Sequence, residues 1–192
     1  MIWRKQRELA DFRMKAGRLP ATMRPGMTTN DDTRTGIIQL VAGTDSRGMP
    51  ILEKLPVKIL HAGEYELLQS PLFVRDLAAG DIFTCEDDNP ASYQVLRRSG
   101  NLAIRVFRKG DIGKVEDNLT PEVEKLGGSL DLKTDRGLVY SLHVNIGFAD
   151  IERLLDGVMA DYPGAVWYYG NIYDREDGTT PLNWWDAFLN PV

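Results

Sequence analysis

One thiol and two imidazoles, Cys85, His61 and His143, supply every thiol–imidazole pairing this chain can make. A nucleophilic cysteine needs such a base, or a positive neighbourhood, to lower its thiol pKa. Cys85 is instead followed by Glu86, Asp87 and Asp88, and nearby carboxylates raise a thiol pKa. A small, half-buried strand residue is therefore the expected role of Cys85. His143 is left as the one candidate general acid or base. Two His and one Cys are too few for a zinc site. The carboxylate runs Glu86-Asp87-Asp88, Asp150 with Glu152, and Asp174-Arg175-Glu176-Asp177 offer the oxygen ligands a hard cation prefers. They lack the alternating ligands and distal Glu of a calcium loop, so solvated turns are expected and no metal site is assigned. No glycine-rich loop opens a helix, and no Walker sequence or G-x-S-x-G elbow occurs. No cofactor is expected, and the balance is against an enzyme.

The elements that would position these groups fall into two sets. From Gly36 to Val106 the chain reads as short β pieces between turns: Ile37–Val41, Val57–Leu60, Glu64–Leu68, Ile82–Glu86 and Tyr93–Arg98. Residues 36–100 are thus expected to form a small β-barrel-like unit. Gly80 suits a positive φ, Asp81 can accept nearby amide hydrogen bonds, and Ser99-Gly100-Asn101 suits a tight hairpin.

From Asn101 the pattern changes. Leu102, Ile104 and Val106 form one apolar strand face. Ile112, Val115, Leu119, Val123 and Leu126 follow at helical spacing, with a break expected at Thr120-Pro121, an N-cap followed by a first-turn proline. Gly127 fits the left-handed position that ends such a helix. Strands are expected at Ser129–Lys133, Leu138–Ile146 and Ala165–Tyr173, around a helix whose stripe is Ile151, Leu154, Leu155, Val158, Met159 and Tyr162. Strand, helix, strand, strand, helix, strand is the ferredoxin-like order. The fold class expected is α+β: the barrel-like unit, a ferredoxin-like unit over residues 101–173, and an aromatic tail over 174–192 ending in a short helix. That tail carries Trp184, Trp185 and Phe188, large apolar side chains that favour docking on the body.

Parity along the strands sets a candidate binding face. Opposite the helix-facing residues lie Arg105, Phe107 and His143, and Trp167 with Tyr169 is read onto the same face of the closing strand. Such a face resembles the stacking platform of RNA-binding ferredoxin-like domains. The basic–aromatic strand motif is absent, and the barrel or the tail is expected to cover the face.

Charge weighs against nucleic acid as partner. Residues 1–26 hold seven Lys or Arg against Glu8 and Asp11, a charge of +5, which leaves −10 for the remainder of a chain whose total is −5. Phosphate binding draws its affinity from Lys and Arg, so only the basic arm, read as an extension over residues 1–35 with Met27 a candidate start, could supply it. No stretch of about 20 apolar residues is present to span a bilayer. A single cysteine excludes an internal disulfide and points to a reducing, cytoplasmic setting.

The stretch VKILHAGEYELLQSPLFVRDLAAGDIFTCE, with YQVLRRSGNLAIRVF after it, resembles domain of unknown function 4265, a family found mainly in bacterial proteins. The features that carry the likeness are the first strand, the Leu72-Phe73 pair, Gly80-Asp81 and the Arg98-Ser99-Gly100 hairpin. The resemblance covers roughly residues 55–173 and implies a domain without an assigned activity. The function expected is noncatalytic protein binding, in an immunity or antitoxin role if the acidic body meets a basic partner. The alternatives are a small enzyme using His143 in a pocket between the two units, and nucleic-acid binding through the arm.

Overall fold

A computed structural model describes residues 34–61, 63–86 and 89–190. The basic arm and Met27 lie outside the described residues, as does the side chain of His61. Strict alternation builds the first sheet: in β1, Thr35–Thr44, Ile38, Leu40 and Ala42 turn to an apolar cluster, while Ile37 is 70% exposed. β2, Pro50–His61, pairs antiparallel with it, and β3, Glu64–Leu67, β4, Ile82–Glu86, and β5, Asn89–Arg97, continue in sequence order. At the β1–β2 turn Asp45 accepts the amides of Arg47 and Met49, and Gly48 adopts φ 78°.

The expected barrel does not close. β1 and β5 remain the two edges of a five-stranded sheet and share no ladder. The reason lies in the connection from β3 to β4. Its Val74 and Leu77 are fully buried against Leu40, Leu55, Val57, Leu67 and Phe83, so the sheet curls around apolar side chains that closure would displace.

The second sheet comprises β6, Asn101–Phe107, β7, Ser129–Lys133, β8, Gly137–His143, and β9, Val166–Tyr169, in the order β7-β8-β6-β9, with every neighbour antiparallel. Ser99-Gly100-Asn101 is therefore not the expected hairpin: β5 pairs with β4 and β6 with β8 and β9, so the turn carries the chain from one sheet to the other. Two helices, α1, Gly113–Lys125, and α2, Phe148–Met159, cover one face. Val115, Leu119 and Val123 of α1 and Ile151 and Leu155 of α2 meet Leu102, Ile104, Val106, Leu138, Tyr140 and Leu142 there. Full burial of each such aliphatic side chain stabilises by about 1.5–3 kcal/mol relative to exposure.

The expected break in α1 is absent, because the helix runs through Pro121. Proline costs one backbone bond, but the Val115-Leu119-Val123 stripe is buried on both sides of it, and Thr120 turns its hydroxyl to Tyr140 rather than capping a new helix. Gly127 ends the helix as expected: at φ 79° it donates to Glu124 while Gly128 donates to Val123, the paired bonds of a Schellman motif. β8 stops earlier than expected, where residues 144–146 form a 3-10 turn and His143 Nδ1 accepts the amide of Asn145. A short helix, α3, Asp186–Leu189, does dock through the tail, with Trp184, Trp185 and Phe188 packed on the helix-side core.

Candidate functional site

Register decides which side chains share a face. Arg105 lies opposite Val139 on β8 and Tyr168 on β9, and Phe107 opposite Gly137 and Val166. Ile104 and Val106, which face the helices, lie opposite Tyr169 and Trp167. The structure therefore brings Arg105, Phe107 and His143 onto one face and places Trp167 and Tyr169 on the other. There Trp167 donates to Asp156 of α2 at 2.8 Å, and Tyr169 meets Phe148 edge-on. The Tyr169 hydroxyl is buried without a hydrogen-bond partner among the described residues, and burial raises its pKa. Tyr168, not either neighbour, stands beside Arg105.

The face away from the helices is occupied by the connection between β3 and β4. Leu72 and Phe73 pack on Phe107 and Val139, and the rings of Phe73, Phe107 and Tyr168 stack at centroid distances of 6.0 and 5.7 Å. Arg105, 2% exposed, donates to the carbonyls of Pro71 at 3.0 Å, Phe73 at 3.3 Å and Val74. From the other side the Glu53 carboxylate accepts the amides of Leu72, Phe73 and Val74 at 2.6–2.9 Å. A cation on the carbonyls and an anion on the amides thus fix residues 71–74. Burial lowers the Arg105 pKa, and Tyr168 and Glu53 oppose that. Nearby, Ser141 donates to Asp131 at 2.5 Å while Asp131 also accepts the amide of Ser70.

A second polar knot holds the end of the same connection. Asp81, fully buried, accepts from the amides of Ala78 and Ser99, the Ser99 hydroxyl and Arg98. Arg98 also pairs with Asp76 and stacks over Trp184 at 5.6 Å. Burial raises the pKa of Asp76 and Asp81, outweighing Arg98 and the other donors. Gly80 takes the expected positive φ, 83°, and a Cβ there would meet the Ser99 Cβ at 2.9 Å.

His143 stands apart from this machinery. It pairs with Asn101, four residues along β8 from Val139, the partner of Arg105, or about 13 Å of strand. Half-buried, it meets Phe188 edge-on at 5.7 Å. Cys85, half-buried on β4 opposite Tyr93, has β3 between its strand and that of His61. Among the described residues no group of three His, Cys, Asp or Glu side chains could hold a metal ion. No helix among them is long and apolar enough to cross a membrane.

Where the two sheets and the tail meet, a cleft of ≈ 250 Å³ opens, with Phe73, Arg75, Arg105, Phe107, Tyr168 and Asp174 on its walls. Arg75 is exposed and donates to the Arg175 carbonyl at 3.3 Å. Neither Arg75 nor Arg105 forms an ion pair among the described residues. Gly170 lets Arg105 approach, since a Cβ there would lie 2.6 Å from Nε. Asp174 accepts the amides of Glu176 and Asp177 at 2.7 and 3.4 Å, which ties its carboxylate to its own turn. The cleft can hold an anionic group beside an apolar one. Sequence parity alone misses Tyr168, because residues 167–169 are all aromatic. Nothing local marks Arg75, Phe73 or Glu53, whose partners are distant in sequence.

A family model described as Domain of unknown function (DUF4265) matches residues 53–163. A crystal structure titled a hypothetical protein from Neisseria gonorrhoeae is similar over 71% of this chain and 94% of its own, at 19% identity and a TM-score of 0.56, a likeness of fold alone. No curated protein matches the chain.

Proposed function

Since the chain belongs to the family described as Domain of unknown function (DUF4265), a membership that brings no activity with it, we propose from the geometry that it is a noncatalytic binding module that engages another protein through the cleft between its sheets. The observation that carries this reading is the content of the cleft: two guanidinium groups and a stack of three rings around open space, with the one candidate base, His143, outside it. Arginine and aromatic side chains are the groups interfaces favour at their energetic centres. Residues 101–173 are read as a ferredoxin-like unit on their strand and helix order, and its covered face leaves the cleft at its margin as the accessible part. An immunity-type role in the cytoplasm rests only on the acidic remainder of the chain, and the cleft adds nothing to it. The nucleic-acid reading rests on residues outside the described set.

Affinity capture from a native lysate tests the proposal, comparing the wild type with Arg75→Ala/Tyr168→Ala after far-UV circular dichroism has confirmed that the double variant folds. A protein retained by the wild type and lost from the variant is expected. Equal retention by both would place the contact elsewhere.

A further inference from the structure

The chemistry of the cleft also restricts what a partner can present to it. In a chain of net charge −5, two guanidiniums without an ion pair among the described residues meet at one concave surface. Low-dielectric walls concentrate the field of such charges. Arg105 directs three of its N–H donors to backbone carbonyls and, being 2% exposed, contributes mainly its charge to the cleft. Arg75 is the opposite case: it is exposed, and its guanidinium makes one 3.3 Å bond to a carbonyl among the described residues, which leaves donors for a forked contact. Asp174 is the acidic group on the wall, and its own loop already engages it. The rings of Phe73, Phe107 and Tyr168 line the same cleft as Arg75, and their stacking leaves an apolar wall.

We propose that the cleft takes a carboxylate carried on a partner's polypeptide, with Arg75 as its ligand, and an adjacent aromatic or large apolar side chain against the Phe73-Phe107-Tyr168 wall. The occupant is thus an acidic–aromatic peptide segment. This inference rests on the reading of the cleft as a protein-binding site. The volume, ≈ 250 Å³, suits one or two side chains rather than a folded element.

Two blocked dipeptides that differ only in charge, acetyl-Phe-Glu-amide and acetyl-Phe-Gln-amide, test it by two-dimensional NMR titration of the full chain. The Glu peptide is expected to shift the amides of Phe73, Arg75, Tyr168 and Gly170 and to bind about fivefold more tightly than the Gln peptide, the upper range of a solvent-exposed ion pair. Arg75→Gln is expected to bring the two affinities together, and Tyr168→Leu to weaken both alike. Equal binding of the two peptides to the wild type overturns the carboxylate assignment and leaves the binding site standing. Shifts confined to other surfaces, or none at millimolar peptide, overturn the inference and the cleft reading together. Sodium acetate titrated alone serves as a further arm: acetate shifting the same amides as strongly as the Glu peptide would show a site for free anions and overturn the peptide assignment.

Discussion

On one face of the second sheet, Leu102, Ile104, Leu138, Tyr140 and Leu142 meet two helices in an apolar core; on the other, Arg105, Ser141 and Phe107 meet a single loop-like connection. The first face is closed by area and the second by directional bonds. Apolar packing tolerates rearrangement among side chains of similar volume. The opposite face depends on particular donors reaching particular carbonyls, and an unmade bond there leaves a buried group unsatisfied. That difference explains why the cleft opens on the second face. A connection held at points, by Glu53, Arg105, Asp131 and Asp81, leaves gaps between the points that two helices with continuous apolar stripes do not.

The sharpest way to break this comparison is to remove one directional anchor and one apolar anchor and rank the losses. Arg105→Met leaves three carbonyls without their donor, each worth about 1–3 kcal/mol when buried. Leu138→Ala removes a fully buried leucine side chain, which costs about 2–5 kcal/mol. Urea denaturation is expected to rank Arg105→Met as the larger loss, and the reverse order would make the connection incidental to stability. Glu53→Gln, which keeps the shape and removes the charge facing three amides, is expected to cost about 1.5–3 kcal/mol. Gly170→Ala forces a Cβ toward the Arg105 guanidinium and is expected to cost about 1–3 kcal/mol by overpacking, with the loss reduced in an Arg105→Met background.

The smallest effect is one of pH. Asp76 and Asp81 have folded pKa values raised above the ordinary 3.8 by burial. The folded chain therefore holds protons that the unfolded chain releases, and these two groups make stability fall as pH rises from 3.8 through their raised values. Asp177 works in the other direction. Bonds from Thr180 and Thr179 hold it at about 2, so its contribution is present above the ordinary 3.8 and is lost as pH falls through about 2. Urea midpoints measured from pH 3.5 to 7 are expected to show a falling component that Asp76→Asn flattens. A slope unchanged in that variant would remove Asp76 from the account.

Much of this architecture is legible locally. The Ile151-Leu155 stripe, Ser129–Lys133 and the positive φ at Gly80 and Gly127 follow from periodicity and from what glycine alone permits. The continuity of α1 is not legible, because a proline after a threonine reads as a start signal until the sheet beneath holds Leu119 and Val123 in one stripe. The candidate face was half legible. Arg105, Phe107 and His143 follow from strong alternation in β6 and β8, whereas Trp167-Tyr168-Tyr169 offers an aromatic face under either parity, and only pairing with Phe107 and Ile104 chooses between them. The open first sheet was hidden for a related reason: Val74 and Leu77 read as part of a connection, and their place inside the curl follows from contacts across the fold.

Hydrogen exchange by mass spectrometry, on the chain alone and with a captured partner bound, tests the central claim most directly. The account predicts new protection at residues 73–75, 105–107 and 168–170 on both sides of the cleft. Protection confined to the β1–β2 hairpin, where Ile37, Met49 and Leu52 are exposed, would contradict it.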